Sequence, residues 1–399
     1  MVEKKLRVLA YSCNGTGMGH ITRTMAISRR IKSLAKAANI DPEIFLLTSS
    51  EAVSVAHREK FISFKIPSYH LIKRLLPEFM GEFRNAQNNF EGVAQRVSLS
   101  IMEEINPDIL ILDNNTTGYL KEFMVSDILD RVHTPVFIYR ERRSERVTSD
   151  FLDYMPKYNV IIAPHPEGTQ LIVPTGLEDR LHHVGNIMIR DKSEALDRER
   201  VQSTFQMDPD CSNIYVTAGG GGDKKHNGTI AKIIDSIGTD DVMIYVGLGT
   251  LHQGQRPAFG ERGRVIVHYP IVEMFNGFDG AVSAAGYNSV SELLHLGVPT
   301  ILYPQKRNVD DQESRVERLN EIGAVIGIDN VNNPDSLKEA FEKIRDPIVA
   351  AELRKTAMAT VPHNGAWKAA YRILEDIATD SQLKQMRDQY SHKTLGIAS

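Results

Sequence analysis

The run Asp108-Ile109-Leu110-Ile111-Leu112-Asp113 places four aliphatic residues in a row between two aspartates. A strand with one wet face alternates apolar and polar side chains, so an unbroken apolar run predicts a strand covered on both faces. Comparable runs occur at 6–12, 43–48, 62–66, 135–139, 159–163 and 181–184. Segments of helical periodicity lie between them, notably 20–37, 86–105 and 117–130. Strands that alternate with helices predict a parallel sheet with helices on both faces.

A second series of the same kind follows. Its strands are expected at 213–218, 242–247, 264–268, 280–284, 300–303 and 324–328. Its helices are expected at 226–237, 288–296, 309–322, 335–345, 347–358 and 364–378. A chain of 399 residues exceeds the size at which one core stops growing, roughly 250–300 residues. The expected fold is therefore α/β, with two doubly wound, Rossmann-like domains of similar size facing each other across a ligand cleft. The charged stretch Gly185–Asp210 reads as the connection. The expected domains are 1–187 and 188–370, and 371–399 is a C-terminal helix and polar tail crossing back to the first domain.

The net charge of -4 gives no global attraction for nucleic acid. Two cysteines, Cys13 and Cys211, cannot form a disulfide framework, which points to a reducing compartment. The charged Met1–Lys5 precedes a short apolar run that ends in glycines, so it reads as a first strand and not a signal peptide. No apolar stretch approaches the ~20 residues of a membrane span. The expectation is a soluble cytoplasmic protein, at most peripheral to the inner face of a membrane.

The chemistry begins behind the first strand. Gly15, Gly17 and Gly19 form a strand–turn–helix corner where a ligand can approach bare backbone, with Met18 between two of them. The glycine spacing is not that of a dinucleotide fingerprint. The second strand ends in Thr48-Ser49-Ser50 without a ribose-binding acid, and only Glu51 just beyond keeps an NAD reading alive. His20 follows at a helix N-terminus, where the helix dipole favours the neutral imidazole that a general base needs. It also reads as an ordinary first-turn residue. Asp113, at the carboxyl end of another strand, would face the same crevice and could fix the imidazole tautomer. It fits an Asx turn equally well.

In the second half, Gly219, Gly220, Gly221 and Gly222 follow a strand, a pattern suited to an anion nest and also to a flexible loop. Asp223 and Lys224 stand where a Walker A loop would have Gly-Lys-Ser/Thr. Gly286, Asn288 and Ser289 then open a helix whose N-terminus would point at a diphosphate. Glu292 could accept ribose hydroxyls, or close a capping box with Ser289. Asp311 and Gln312 suit sugar hydroxyls, or a polar helix start. Asp208-Pro209-Asp210 precedes its strand and reads as a turn, and no metal site is expected.

These residues carry a family resemblance. Ala285-Gly286, Ser289 to Leu293, Gly297-Val298-Pro299, Pro304 to Gln312 and Leu319 to Ala324 resemble the donor domain of GT-B glycosyltransferases. The closest in style are the MurG-like, glycosyltransferase family 28 type. The N-terminal Gly-Thr-Gly-Met-Gly-His resembles that family's loop, with one residue more. Gly19 to Arg23 matches a Gly-His-x-x-Arg pattern of related transferases. Val184-Gly185-Asn186 resembles an interdomain element in which Ile187 replaces a proline.

The resemblance implies an N-terminal acceptor-binding domain and a C-terminal nucleotide-sugar donor domain. His20 would be the catalytic base and Asp113 its partner, with Gly17, Met18 and Gly19 on the acceptor side. Gly219–Gly222 and the helix from Asn288 would hold the diphosphate, Glu292 the ribose, and Asp311 and Gln312 the sugar. Tyr269 and Ile271 would cradle the base. The implied activity is an inverting, metal-independent transfer from a nucleotide-sugar, UDP-sugar being the favoured donor, with no cofactor. The acceptor is a small or lipid-linked molecule. The apolar and basic stretch Tyr69–Met80 falls where acceptors often bind, but reads more readily as a helix packed on its own domain. Arg140, Arg142, Arg143 and Arg146 could read an anionic group, or form an ordinary solvated segment with the interleaved Glu141 and Glu145. The alternatives are a catalytically inert nucleotide-sugar-binding subunit and a GT-B-fold UDP-sugar epimerase.

Overall fold

The apolar runs form two parallel sheets in a computed structural model that describes residues 5–13, 17–68, 83–124, 126–220, 226–252, 260–306 and 310–389. The chain divides into one unit of Met1–Ile187 with Gly365–Ser399 and a second of Met188–Asn364.

The first unit holds β1 (Leu6–Ser12), β2 (Pro42–Thr48), β3 (Ile62–Lys65), β4 (Ile109–Asp113), β5 (Thr134–Ile138), β6 (Val160–Ala163) and β7 (Leu181–His183). Their spatial order is β3-β2-β1-β4-β5-β6-β7. The chain starts at the centre, winds to one edge, then returns to build the other half beside β1. That reversal between β1 and β4 is the topological switch point, where a crevice opens beyond the carboxyl ends. The parallel register sets Ser12 of β1 against Asp113 of β4. Val8, Leu9 and Ala10 are consecutive and each 0% exposed, as burial on both faces demands.

The second unit repeats the scheme with β8 (Ser212–Thr217), β9 (Val242–Gly247), β10 (Gly263–Ile266), β11 (Gly280–Ala284), β12 (Thr300–Tyr303) and β13 (Ile326–Gly327). The order is β10-β9-β8-β11-β12-β13, and the switch point lies between β8 and β11, where Thr217 pairs with Ser283.

Four expectations need correction. The segment 117–130 is not a helix but two 3-10 turns, Glu122–Met124 and Ile128–Arg131. Gly118 takes a left-handed φ of 80°, and the Glu122 carboxylate accepts the Leu120 amide at 2.8 Å, so turn chemistry wins over helix periodicity. The stretch 185–210 is not all connection. Arg198–Phe205 is a helix capped by Asp197, whose Oδ1 accepts Arg200 N at 2.9 Å, and its Val201 is fully buried.

The boundary expected at residue 370 falls inside the helix Ala366–Glu375, which belongs to the first unit. Trp367, Ala370, Tyr371 and Leu374 bury one face of it, and the Arg30 guanidinium of the Gly19–Ala37 helix lies 4.5 Å from the Trp367 ring centre. Gly365 opens this return. Its amide donates to Asn186 O at 2.7 Å, and a Cβ there would lie 2.4 Å from Val184 O, so only glycine fits. Finally, the tail is patterned over Asp380–Gln389, where a last helix buries Met386.

Candidate active site

The first cluster gathers at the β1–β4 switch point. The Gly19–Ala37 helix begins just after the glycine turn, with Met18 as its N-cap, which places His20 in the first turn. Asp113 ends β4 with its side chain fully buried, and its Oδ1 lies 3.4 Å from His20 Nδ1. An Nδ1–H directed at this carboxylate leaves the lone pair on Nε2, the tautomer a general base requires. The His20 side chain is 29% exposed, so the ring is accessible.

Arg23 completes the cluster. Its side chain is 2% exposed, and Nη2 lies 2.8 Å from the same Asp113 Oδ1. Burial lowers the His20 pKa below its ordinary 6.5, helped by the positive charges of Arg23 and Arg140, while Asp113 pulls the other way. The imidazole is therefore neutral at pH 7. Burial alone would raise the Asp113 carboxyl, yet Arg23 and His20 outweigh it and hold the pKa down. Cys13 Sγ donates to Asp113 O at 3.5 Å, and burial with the nearby carboxylates pushes this thiol up to about 12. It is a packing group rather than a nucleophile.

A Cβ at Gly17 or Gly19 would meet nothing within 4 Å among the described atoms, and neither φ is positive. None of the described residues asks for glycine at these two positions. Gly15 lies outside the described residues, as does the acceptor-side stretch Tyr69–Met80. The residue that kept a dinucleotide reading alive is committed elsewhere: Glu51 pairs with Lys65 at 2.8 Å. Thr48 Oγ1 is likewise engaged by Ser12 Oγ at 3.1 Å and Ser50 N at 3.0 Å. Of the arginines after β5, Arg142 donates to Asn114 and stacks 3.9 Å from the Phe151 ring centre.

The second cluster occupies the corresponding edge of the other sheet. Gly219 follows β8 with φ of 101°, and its amide donates to Thr217 Oγ1 at 3.2 Å. Gly220 accepts Leu251 N at 3.2 Å, and a Cβ at Gly249 would strike Gly220 backbone, so two loops pack closely here. Gly221 lies outside the described residues. After β11 the helix Tyr287–Leu296 starts at Gly286 without a side-chain cap. Asn288 Oδ1 is buried and has no hydrogen-bond partner among the described residues.

Helix start Gly286 makes Ser289 and Glu292 interior positions, so the Ser-x-x-Glu pattern is not a capping box. Glu292 is instead 7% exposed, and burial pushes its carboxyl up to about 8 against the pull of Arg190. Arg190 itself donates Nε to Glu273 at 2.6 Å, and Glu273 faces His268 Nε2 at 3.4 Å. This network braces the turn that carries Tyr269 and Ile271.

Asp311 and Gln312 both make contacts within their own loop and helix. Asp311 caps the helix Gln312–Glu321 by accepting Ser314 N at 3.2 Å. Gln312 is 4% exposed, accepts Gln305 N at 3.0 Å and reaches Asp310 Oδ2 at 3.3 Å. Arg315 joins Asp310 at 2.8 Å to Ala285 O at 2.7 Å. Gln312 therefore ties the β12 loop together, and Arg315 ties that loop to the β11 turn. Asp208 accepts Asp210 N at 3.0 Å, an Asx turn. Among the described residues no His, Cys, Asp or Glu triplet is gathered as metal ligands would be, and no helix is long and apolar enough to cross a membrane.

Residues 213–370 match the model of the glycosyltransferase family 28 C-terminal domain. The chain is 24% identical over 375 residues to a UDP-N-acetylglucosamine–N-acetylmuramyl-(pentapeptide) pyrophosphoryl-undecaprenol N-acetylglucosamine transferase of Acetivibrio thermocellus, covering 91% of this chain and 96% of that protein. Among solved structures it resembles the glycotransferase of kitacinnamycin, with a TM-score of 0.62, 16% identity, and 94% and 100% of the two chains covered. It also resembles the MurG of Acinetobacter baumannii, with a TM-score of 0.57, 13% identity, and 93% and 100% covered. The fold is that of the GT-B glycosyltransferases.

Proposed function

We propose that this chain, a glycosyltransferase of the GT-B fold with a family 28 C-terminal domain, moves a sugar from a UDP-sugar to an acceptor hydroxyl with inversion. The observation that carries the reading is the accessible, neutral His20 backed by a buried, ionised Asp113. His20 Nε2 takes the acceptor proton as the hydroxyl attacks the anomeric carbon, and Asp113 supports the imidazolium that forms. Gly17, Met18 and Gly19 leave backbone open to the acceptor.

The second unit binds the donor. The start of the Tyr287–Leu296 helix, with Gly286, Asn288 and Ser289, and the Gly219–Gly221 turn receive the diphosphate. Their dipoles meet the charge of the departing UDP without a metal ion. Glu292 accepts the ribose hydroxyls, Tyr269 and Ile271 flank the base, and Asp311 with Gln312 faces the sugar. The A. thermocellus relative is named for a pyrophosphoryl-undecaprenol acceptor, which supports a lipid-linked acceptor here.

Proton NMR of the product tests the stereochemistry. With a UDP-α-sugar and EDTA present, the product carries a β-anomeric proton. An α-anomer, or turnover that vanishes with EDTA, would contradict the single metal-free displacement.

A further inference from the structure

The base assignment leaves one buried charge in the same cluster without a task. Arg23 lies three residues after His20, so both side chains leave one face of the helix. A guanidinium with 2% exposure is costly unless its N–H groups are met. Arg23 Nη2 lies 2.8 Å from Asp113 Oδ1 and 3.5 Å from His20 Nδ1, while that same Oδ1 lies 3.4 Å from His20 Nδ1. Two groups, Arg23 and His20, thus meet on one carboxylate oxygen.

The contacts compete. Asp113 calls for a proton on Nδ1. An arginine can only donate, so its approach to Nδ1 calls for the other tautomer. The shorter contact joins Arg23 to the carboxylate and leaves His20 Nδ1 a weakened share of it. Were Asp113 given wholly to His20, a buried ion pair would hold the proton after each turnover and leave the base protonated near neutral pH.

We propose that Arg23 is a positioning residue for the His20 base: it fixes Asp113 ionised in one orientation and, by occupying Oδ1, limits how strongly that carboxylate holds the imidazolium. This rests on the base assignment above. The charged groups facing the ring are Asp113 from the end of β4, Arg23 from its own helix and Arg140 from beyond β5. Cys13 and Arg142 face Asp113 from behind β1 and β5.

Histidine ring NMR on the full-length protein reads this without needing turnover. The His20 signal is assigned by its loss in His20→Ala. In Arg23→Gln, which keeps a polar group against Asp113, the His20 titration midpoint moves up. In Asp113→Asn it moves down, because the support is gone and Arg23 remains. Arg23→Lys restores the charge and brings the midpoint back toward wild type.

The acid limb of kcat/KM for UDP-sugar turnover follows the same directions. At pH 6.5 turnover of Arg23→Gln falls by about tenfold with the donor KM held. A folded Arg23→Gln whose midpoint and acid limb both stay at wild-type values would overturn the proposal and leave Arg23 a packing residue. If Arg23→Gln does not fold, Arg23→Lys and Asp113→Asn decide: a downward shift in Asp113→Asn with none in Arg23→Lys supports the proposal, and unmoved midpoints in both overturn it. Failure of the base assignment shows separately, as wild-type turnover in His20→Ala.

Discussion

His20→Ala lowers turnover by about 10²–10⁴-fold while UDP affinity holds. The loss follows from geometry: the ring is the accessible end of a pair whose other end, Asp113, is fully buried. The residues proposed to bind the donor lie in the other unit, Met188–Asn364, so truncating the ring is expected to leave nucleotide binding intact. The pH dependence has a definite sign. The proposed base works only when neutral, and the His20 pKa lies below 6.5. Wild-type kcat/KM is therefore flat above pH 6.5 and falls as pH drops through the lowered value. Stability moves the same way: below 6.5 the unfolded chain binds this proton more readily than the folded one, so stability falls with pH across that window. Stopped assays of UDP release between pH 5 and 8 measure both the fold-change and the limb. Near-normal turnover in His20→Ala would remove the base and favour a subunit that binds nucleotide-sugar without reacting it.

Glu292→Gln is expected to stabilise the protein and weaken donor binding together. The carboxyl is 7% exposed, makes no hydrogen bond or ion pair with the described residues, and is pushed from 4.5 up to about 8 by burial. Between those two values the folded state binds the proton and the unfolded state does not. Stability therefore declines as pH rises from 4.5 and stops declining above about 8. At pH 7 the cost is about 3 kcal/mol. Glutamine keeps the shape and removes the titration, so urea unfolding shows that gain at pH 7 and little of it at pH 4.5. The proposed ribose contact gives a buried carboxyl of this cost a use. At pH 7 the carboxyl is mostly neutral, so removing its proposed hydrogen bond to ribose costs about 0.5–1.5 kcal/mol, or roughly 2- to 10-fold in UDP affinity. A glutamine variant no more stable, with unchanged UDP affinity, would leave Glu292 without this role.

The central strands were legible because nothing in their surroundings opposes the local pattern. Residues 242–247, 280–284 and 300–303 are short apolar runs between turn residues, and the structure places strands there residue for residue. The segment 117–130 was not legible because its shape depends on a distant partner. Tyr11 Oη donates to Glu122 Oε1 at 2.6 Å across a sequence separation of 111 residues, and no window around Glu122 displays that bond. The Arg198–Phe205 helix escaped notice because it buries little beyond Val201.

At the site, the Gly-His-x-x-Arg pattern was visible, yet the task of Arg23 appears only once the β1–β4 register brings Asp113 to it. Glu292 was ambiguous in sequence because Ser289-x-x-Glu292 imitates a capping box. Only the helix start at Tyr287 separates the two roles. Asp311 shows the reverse: its polar helix-start reading is what the Ser314 amide contact displays.

The central claim is that the second unit holds a nucleotide-sugar, and a thermal-shift comparison of UDP, GDP, dTDP and NAD tests it most directly. A ligand at about a hundred times its Kd stabilises the folded state by about 2.7 kcal/mol, which moves the melting temperature of a unit of this size by roughly 5–10 °C. UDP is expected to produce such a shift, NAD none, and Glu292→Gln a smaller UDP response. Stabilisation by NAD alone would contradict the claim.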